Sequence, residues 1–551
     1  MRQRLIVLSL AVASLAIAAG AIQLWNVPSS ATATGAGDIS AGGVHTCLLA
    51  TPGEVACWGS NASGLLGNGT MIDQSTTPVD VNGLVDGAAG ISAGFFHTCA
   101  VTEVGGVMCW GNNFIGQIGD GTTFDRSLAT NVCADAACLT PLRGIAAIAV
   151  GSSHTCALTT TSSVKCWGAN GGGQLGNGTI NHSYPVEVCS DEACTGSLTG
   201  VAAVATGGSH SCALTTDGGV LCWGGNNSGQ LGDGTTENRS YPVAVSGLDS
   251  GVIAITAAGI HSCALLAGGT VQCWGSNEFG QLGNGTHGDG DFDTIDSSLT
   301  PSSVCSETIP PGFCGGTLTD VAAIDAGSSH TCAMTTSGSV QCWGSNEFGQ
   351  LGDGTSGDGD PETLDNVRTS PADVCTPPVF APAGPHSTAG LSGFCTAPLT
   401  DVTAVSAGAQ HTCALTIAAV PTCWGRNAFG QLGDGTTTDR PLPVDVPGIG
   451  PKSTPTQAAP SATAQPSATS APPTATSTSP APGTPVPSCL GGDVNDDGSV
   501  NSIDAALILQ FVADLLGTLT CLDRADVNVD GAVNSIDAAL ILQFVAGLID
   551  D

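Results

Sequence analysis

The sequence has few basic residues. Its 551 residues include 11 Lys and Arg against 46 Asp and Glu, which gives a formal net charge of -35. Proteins that bind nucleic acids neutralise phosphates with clustered basic side chains. Between residues 38 and 450 the Lys and Arg residues are scattered along the chain. We therefore expect neither a nucleic-acid partner nor binding to an anionic membrane surface.

Aromatic residues are also scarce, at 4% of the chain. Sugar-binding surfaces usually rely on exposed aromatic rings, so few residues are available for that role. The glycine-rich segments contain no lysine of the kind that marks a phosphate-binding loop. These absences argue against a phosphate-binding loop and leave few residues for a sugar-binding surface.

Cysteine and glycine, in contrast, are abundant, and the cysteines follow a repeat. Seven pairs are ten positions apart; each first cysteine follows a histidine by two places, and each second cysteine precedes a tryptophan. Such periodicity indicates a repeat architecture. The pairs are Cys47 with Cys57, Cys99 with Cys109, Cys156 with Cys166, Cys212 with Cys222, Cys263 with Cys273, Cys332 with Cys342, and Cys413 with Cys423.

The N-terminus predicts export. Arg2 and Arg4 precede an apolar run of the length found in secretion signals, and small residues follow it up to about Ala33. We expect a signal peptide over residues 1–33; the alternative is an uncleaved membrane anchor. In both cases the rest of the chain lies outside the cytoplasm.

In an oxidising compartment, paired cysteines are most simply disulfides. The alternative, zinc held by the repeated His and Cys, lacks a spacing that brings four ligands together. All 24 cysteines pair by proximity, as a disulfide framework requires. Besides the repeat pairs we expect bonds that join Cys133 with Cys138, Cys189 with Cys194, Cys305 with Cys314, Cys375 with Cys395, and Cys489 with Cys521.

The repeat predicts a β-hairpin with the two cysteines directly opposed. Cys156 then faces Cys166, and Thr155 faces Trp167, so that both faces of the hairpin are apolar. A strand pair that is apolar on both sides has to be covered on both sides. Closure of seven such units into a ring satisfies this need. We predict a mainly β fold, a seven-bladed propeller of four strands per blade over residues 38–450.

The pattern H[ST]CAL…G.V.CWG.N..GQLG[DN]GT resembles the regulator of chromosome condensation repeat, which implies a seven-bladed propeller. The founder of that family acts on a nuclear small GTPase and on nucleosomes. We expect no small GTPase partner for an exported, acidic and cross-linked chain. Seven equivalent histidines imply one shared structural hydrogen bond rather than catalysis.

A segment rich in Pro, Ser, Thr and Ala, residues 451–487, predicts an extended linker. Two near-identical acidic segments follow it, and each has the oxygen-ligand spacing of a calcium loop with glycine at the sharp bend. The first offers Asp493, Asn495, Asp497, Ser499, Asn501 and Asp504; the second offers Asp526, Asn528, Asp530, Ala532, Asn534 and Asp537. An apolar stripe predicts a helix after each loop. We expect two calcium ions.

This duplicated half-EF-hand, residues 488–551, resembles a type I dockerin, which implies a cohesin-like partner. By that resemblance the partner contacts are Ser502, Ile503, Ser535 and Ile536. Many dockerin proteins degrade polysaccharides, which supplies the enzymatic alternative.

Two further acidic segments, residues 288–297 and 357–366, interrupt the repeats. Aspartates at alternate positions suit calcium, but a solvated loop explains them equally, because neither matches a full calcium loop. We expect a secreted or cell-surface binding or scaffold protein whose propeller recognises an extracellular protein or glycan. A secreted protein inhibitor is the other alternative, because a propeller with similar repeats inhibits β-lactamases.

Overall fold

The computed structural model describes residues 38–50, 53–71, 74–288, 297–309, 313–357, 367–377 and 397–449. The chain divides into two units, Met1–Thr456 and Gln457–Asp551, and every described residue belongs to the first. The predicted signal peptide, linker and dockerin, most of both acidic segments, and Cys395, Cys489 and Cys521 lie outside the described residues. No helix in the described part is long and apolar enough to cross a membrane.

Seven four-stranded antiparallel sheets form the blades of a propeller, as predicted, and each is built from consecutive strands. Blade 1 contains β1 (Asp38–Ala41), β2 (His45–Ala50), β3 (Glu54–Gly59) and β4 (Ser75–Asp80), with a short 3-10 helix at Ala62–Gly64. Blade 2 contains β5 (Ala88–Ala93), β6 (His97–Thr102), β7 (Val107–Gly111) and β8 (Arg126–Asn131). Blade 3 contains β9 (Ile145–Val150), β10 (His154–Thr159), β11 (Val164–Gly168) and β12 (His182–Glu187).

Blade 4 contains β13 (Val201–Thr206), β14 (His210–Thr215), β15 (Val220–Gly224) and β16 (Arg239–Ala244). Blade 5 contains β17 (Val252–Ala258), β18 (His261–Leu266), β19 (Val271–Ser276) and β20 (Ser297–Ser303), and a small hairpin follows, β21 (Thr308–Ile309) and β22 (Phe313–Cys314). Blade 6 contains β23 (Val321–Ala326), β24 (His330–Thr335), β25 (Val340–Ser345) and β26 (Val367–Asp373). Blade 7 contains β27 (Val402–Ala407), β28 (His411–Thr416), β29 (Pro421–Gly425) and β30 (Arg440–Asp445).

The second and third strands of each blade form the predicted hairpin. In blade 3, Cys156 lies opposite Cys166 and Thr155 opposite Trp167, and the other blades repeat this register. The tight turn needs a left-handed residue, which is glycine in five blades and Ser162 or Ala419, with φ of 60° and 55°, in the other two. The sheet register therefore outweighs the usual steric cost of a positive φ at these two positions.

Disulfides fasten this hairpin in every blade, since all seven predicted repeat pairs are bonded. From blade 1 to blade 7 the bonds join Cys47 with Cys57, Cys99 with Cys109, Cys156 with Cys166, Cys212 with Cys222, Cys263 with Cys273, Cys332 with Cys342, and Cys413 with Cys423. Three further disulfides bridge the loops that follow the fourth strands of blades 2, 3 and 5. They join Cys133 with Cys138, Cys189 with Cys194, and Cys305 with Cys314. Among the described residues no cysteine is free.

The core lies between blades rather than at the centre of the ring. Each repeat tryptophan is fully buried and packs against the preceding blade; Trp223 of blade 4, for example, clusters with Leu175 and Val188 of blade 3. An indole buries roughly 200 Å². At about 25 cal/mol per Å², this burial stabilises each junction by about 5 kcal/mol.

The ring closes without exchange of a strand between its ends. All four strands of blade 1 come from the N-terminal side and all four of blade 7 from the C-terminal side. Trp58 of blade 1 packs against Leu432 and Val446 of blade 7, and its indole N–H donates to the Gln431 carbonyl at 2.9 Å. Closure therefore uses the same contacts as every other junction.

Candidate functional site

The connections at one end of the blades share a single face. In an antiparallel sheet, the loop between the first and second strands lies at the same end as the loop between the third and fourth. In blade 2 the Asn112 N–H of the later loop donates to the Phe96 carbonyl of the earlier loop at 2.9 Å. We call this end of the propeller the upper face.

A ring of histidines joins neighbouring blades just beneath the upper face. Each fully buried His places Nε2 within 2.6–3.0 Å of a Ser or Thr hydroxyl on the next blade. The pairs are His45–Thr98, His97–Thr155, His154–Ser211, His210–Ser262, His261–Thr331, His330–Thr412 and His411–Thr46. The prediction of a shared structural hydrogen bond is confirmed.

The direction of these hydrogen bonds fixes the tautomer. The Thr155 hydroxyl donates to the Gln117 carbonyl at 3.1 Å, and Trp167 Nε1 donates to the same carbonyl at 2.9 Å. Since the hydroxyl proton is used, His97 Nε2 has to be the donor to Thr155. In six of the seven pairs the hydroxyl donates to a carbonyl in this way, so the Nδ1 atom of the paired histidine is an unprotonated acceptor. The Nδ1 atoms of the ring histidines have no hydrogen-bond partner among the described residues.

Burial keeps these histidines neutral. It lowers the pKa of His45, His154 and His261 to about 4. It lowers the pKa of His97, His210, His330 and His411 to about 3. A neutral imidazole with its one proton already donated is a structural group, so the ring holds blades together.

A second set of polar contacts lines the axis of the propeller. The inner-strand residue opposite the first cysteine of each hairpin is Ser40, Ser92, Ala149, Ala205, Thr256, Asp325 or Ser406. Where this residue is polar, its side chain accepts a hydrogen bond from a backbone N–H of the next blade. Ser40, for example, accepts from the Ala93 N–H at 2.9 Å. Ser92 sits in a G-x-S-x-G spacing, but its hydroxyl accepts from the Val150 N–H at 3.2 Å within an inner strand and is not an exposed nucleophile.

Asp325 is the exception in this set because it is ionisable. It is 4% exposed, and its Oδ2 accepts from the Ala407 N–H at 2.8 Å while its Oδ1 accepts from the Thr256 hydroxyl at 3.1 Å. It lines a cavity of about 80 Å³ on the axis, together with Phe95 and the rim glycines. Burial raises the pKa of Asp325 to about 7, although its hydrogen bonds act in the opposite direction.

Exposed phenylalanines lie on the upper face of blade 2. Phe96, Phe114 and Phe124 are 44%, 80% and 73% exposed, and we call these three residues the phenylalanine patch. Asn112, bonded to the Phe96 carbonyl, also accepts from the Phe114 N–H at 3.4 Å. The Phe95 ring lies 4.6 Å from that of Phe96, so Phe95 links the patch to the axial cavity.

The connections that form the upper face are braced by a repeated ion pair. Asp233 of blade 4, for example, accepts from Arg239 at 2.9 Å and from the Thr235 N–H and hydroxyl. The pair recurs as Asp120–Arg126, Asp353–Arg368 and Asp434–Arg440. In blades 1, 3 and 5 an asparagine replaces the aspartate, and the position of the arginine holds Ser or His.

Sequence reasoning missed both Asp325 and the phenylalanine patch, although each leaves a trace. Asp325 replaces the serine of the ISAG stretch, and Phe114 stands where the other repeats have Ala, Gly, Asn or Glu. The predicted calcium ligands, the cohesin contacts and most of the acidic segments lie outside the described residues.

Comparison with protein-family models supports this architecture. A model described as RCC1-like domain matches residues 23–389, and one for the regulator of chromosome condensation (RCC1) repeat matches residues 423–459. A model of the dockerin type I domain matches residues 491–546. Dockerin type I domains bind calcium, and the match indicates attachment to a cohesin partner.

Similar proteins include the ultraviolet-B receptor UVR8 of Arabidopsis thaliana, 30% identical over 412 residues, which are 74% of this chain and 80% of that protein. The secretion-regulating guanine nucleotide exchange factor of Bos taurus is 29% identical over 72% of this chain and 80% of its own length. The human E3 ubiquitin-protein ligase HERC2 is 31% identical over 45% of this chain, but the match spans only 5% of that protein.

Solved structures with the same fold include human WBSCR16, with a TM-score of 0.54 and 23% identity over 71% of this chain and 93% of that one. Yeast RCC1 (Prp20) bound to Kap60 has a TM-score of 0.54 and 20% identity over 71% and 83%. At these identities the likeness concerns the fold alone. Together with the seven-bladed ring and the repeat, the family match over residues 23–389 establishes that this chain belongs to the RCC1-like domain family.

Proposed function

We propose that this protein is an exported, non-catalytic binding protein in which the propeller holds a protein partner and the dockerin attaches the pair to a cohesin-bearing protein. The observation that carries the proposal is the dockerin type I match over residues 491–546. A dockerin acts as an attachment module, so we expect the chain that carries it to deliver whatever the propeller binds.

The proposed calcium sites are the two acidic loops inside the matched region. Each supplies side-chain oxygens at the first, third, fifth, ninth and twelfth positions and a carbonyl at the seventh. Two ions would order the helices predicted after the loops. The cohesin contacts would then be the Ser–Ile pairs at the tenth and eleventh positions, Ser502 with Ile503 and Ser535 with Ile536.

Export is supported by the disulfides. Seven of them lie inside blades at residues whose exposure is near zero, and stable structural disulfides are typical of oxidising compartments. A location outside the cytoplasm also separates the chain from cytosolic small GTPases, so we expect no exchange activity of the kind named for the bovine relative.

The phenylalanine patch supports a protein partner for the propeller. Blade 2 carries three phenylalanines on one face that are 44–80% exposed, whereas Phe279 and Phe429 in the corresponding connections of blades 5 and 7 are 37% exposed. Clusters of exposed aromatic side chains are typical of protein interfaces. Sugar-binding surfaces more often use Trp, but all seven repeat tryptophans are fully buried. A protein is therefore favoured over a glycan.

The proposal can be tested by affinity capture from the secreted proteins of the native organism. The full chain is immobilised, with calcium or with chelator, as wild type, as F114S/F124S and as I180S. Ile180 is 79% exposed and belongs to the corresponding connection of blade 3, so I180S is the matched control. We expect the wild-type chain to capture a cohesin-bearing protein that chelator releases. We also expect it to capture a second protein that stays bound in chelator, that I180S still captures and that F114S/F124S does not.

Two outcomes would contradict the proposal. If neither chelator nor F114S/F124S changes the set of captured proteins, neither of the two proposed surfaces binds a partner. Release of soluble sugars from plant or microbial polysaccharide by the purified chain would establish an enzyme instead.

A further inference from the structure

We propose that the axial cavity is a binding site for a singly charged cation, built on the Asp325 carboxylate at the junction of blades 5 and 6. Asp325 lines this cavity of about 80 Å³, which has room for several water-sized groups.

Accepting the Ala407 N–H does not require a carboxylate. At other junctions a neutral hydroxyl accepts the equivalent backbone N–H: Ser40 from Ala93 at 2.9 Å and Ser406 from Ala41 at 3.0 Å. A serine in place of Asp325 would therefore satisfy the Ala407 N–H equally well. The charge of Asp325 calls for another partner.

No basic side chain of the described residues supplies that partner. The axial cavity is lined by no Lys, Arg or His. Four propeller arginines pair with the aspartates of their own connections, and Lys165 pairs with Glu187. Arg426 lies over the Phe348 ring, and Arg143 is exposed and does not line the cavity. A buried carboxylate without a counter-charge is costly, and a bound cation removes that cost.

The Gly327 carbonyl supplies a second oxygen atom at the same junction. In the loops between the first and second strands, a backbone N–H of one blade donates to a carbonyl of the next blade at six of the seven junctions. At the junction of blades 2 and 3, for example, the Phe95 N–H donates to the Gly151 carbonyl. At the junction of blades 5 and 6 this bond is missing, so the Gly327 carbonyl accepts no described backbone hydrogen bond. Gly327 lies two residues after Asp325, and both line the cavity.

The charge of the site selects the class of cation. The axial cavity is lined by one carboxylate and otherwise by neutral groups. The described residues contain no group of three or more His, Cys, Asp or Glu able to hold a metal ion. A single negative charge suits an alkali ion or the ammonium or guanidinium head of a basic side chain better than calcium, which prefers several carboxylates.

The test uses D325S, which keeps a hydroxyl acceptor for Ala407 as in blades 1, 2 and 7. D217S is the matched control because Asp217 is an exposed residue of a hairpin turn in blade 4. The full chain is kept in saturating calcium, which the dockerin needs, and N-methylglucamine is the only other cation in the buffer. Rubidium chloride or methylguanidinium chloride is then added in steps, and the Tm is measured at each concentration.

We expect at least one of the two cations to raise the Tm of wild type and D217S by about 2 °C at ten times its Kd, and to leave D325S unchanged. A response to rubidium alone identifies an alkali-ion site; a response to methylguanidinium alone identifies a site for a basic side chain. Crystals of wild type soaked in rubidium, with anomalous density in the axial cavity, give a second readout if D325S does not fold. Equal shifts in D325S, or no shift with either cation and no anomalous density, would overturn the proposal.

Discussion

Acid should lower the free energy of unfolding of this propeller, because its ring histidines are neutral when folded and take up protons on unfolding. The seven ring histidines have pKa values of about 3 to 4 in the folded protein, against about 6.5 in an unfolded chain. A base with a lowered pKa contributes its full stability above pH 6.5 and loses it as the pH falls toward the folded value. At pH 5.5 each histidine has lost about 1.4 kcal/mol, and seven have lost about 10 kcal/mol, which is comparable to the whole stability of an ordinary domain.

Proton uptake on unfolding measures this effect directly. At pH 5.5 the seven histidines each gain about one proton on unfolding. Asp38 and Asp325, whose pKa burial raises to about 7, each release one. Seven gained less two released leaves a net uptake of about five protons. Calorimetric unfolding in two buffers of different ionisation enthalpy gives this number.

A single substitution provides the control. H154Q removes one titrating member and leaves an amide to reach Ser211, so the uptake should fall by about one proton, with a loss of roughly 1–3 kcal/mol at pH 7.5. An uptake near zero at pH 5.5, or an uptake that H154Q leaves unchanged, would refute the assignment of neutral, buried histidines.

Three further predictions follow from single contacts. Without added cation, D325S should gain stability over wild type as the pH rises from 4 to 8, by up to about 4 kcal/mol, because ionising the buried carboxyl of Asp325 is costly; a constant difference across this pH range would contradict the raised pKa. R440A should cost about 1 kcal/mol or less by chemical denaturation, because its partner Asp434 keeps the Thr436 hydrogen bonds, and a loss above 3 kcal/mol would mean that the ion pair holds the connection. C212A/C222A should lower the stability by about 2–3 kcal/mol, in line with a ten-residue loop, and an unchanged Tm would show that the β-ladder alone fixes that hairpin.

The blade could be predicted in detail from the sequence because its pattern is local. The ten-residue spacing of Cys156 and Cys166 determines a hairpin register, and the register places Trp167 on a face that needs a neighbour. Because all seven blades need a neighbour on this face, the sequence predicts a closed ring. How the ring closes was beyond sequence reasoning, since strand exchange and simple packing bury the same side chains; the structure closes by packing Trp58 against blade 7.

The candidate sites were harder to predict because they are departures from the repeat. A single aspartate at its position in seven inner strands has no period to mark it, and neither has Phe114, at whose position the other repeats have Ala, Gly, Asn or Glu. Their meaning depends on where the fold places them. Asp325 lies at an axial cavity lined by no basic side chain, and Phe114 and Phe96 are both exposed on the upper face of blade 2. The dockerin calcium ligands, in contrast, follow a complete local pattern and remain predictions from the sequence.

Calorimetric titration of the full chain with a type I cohesin module tests most directly whether this chain is an attachment protein. We expect a one-to-one complex in calcium that chelator abolishes and that D504A/D537A, which removes the twelfth ligand of each loop, weakens at least a hundredfold. Absence of binding to a panel of type I cohesins in saturating calcium, or binding that chelator and D504A/D537A leave intact, would contradict it.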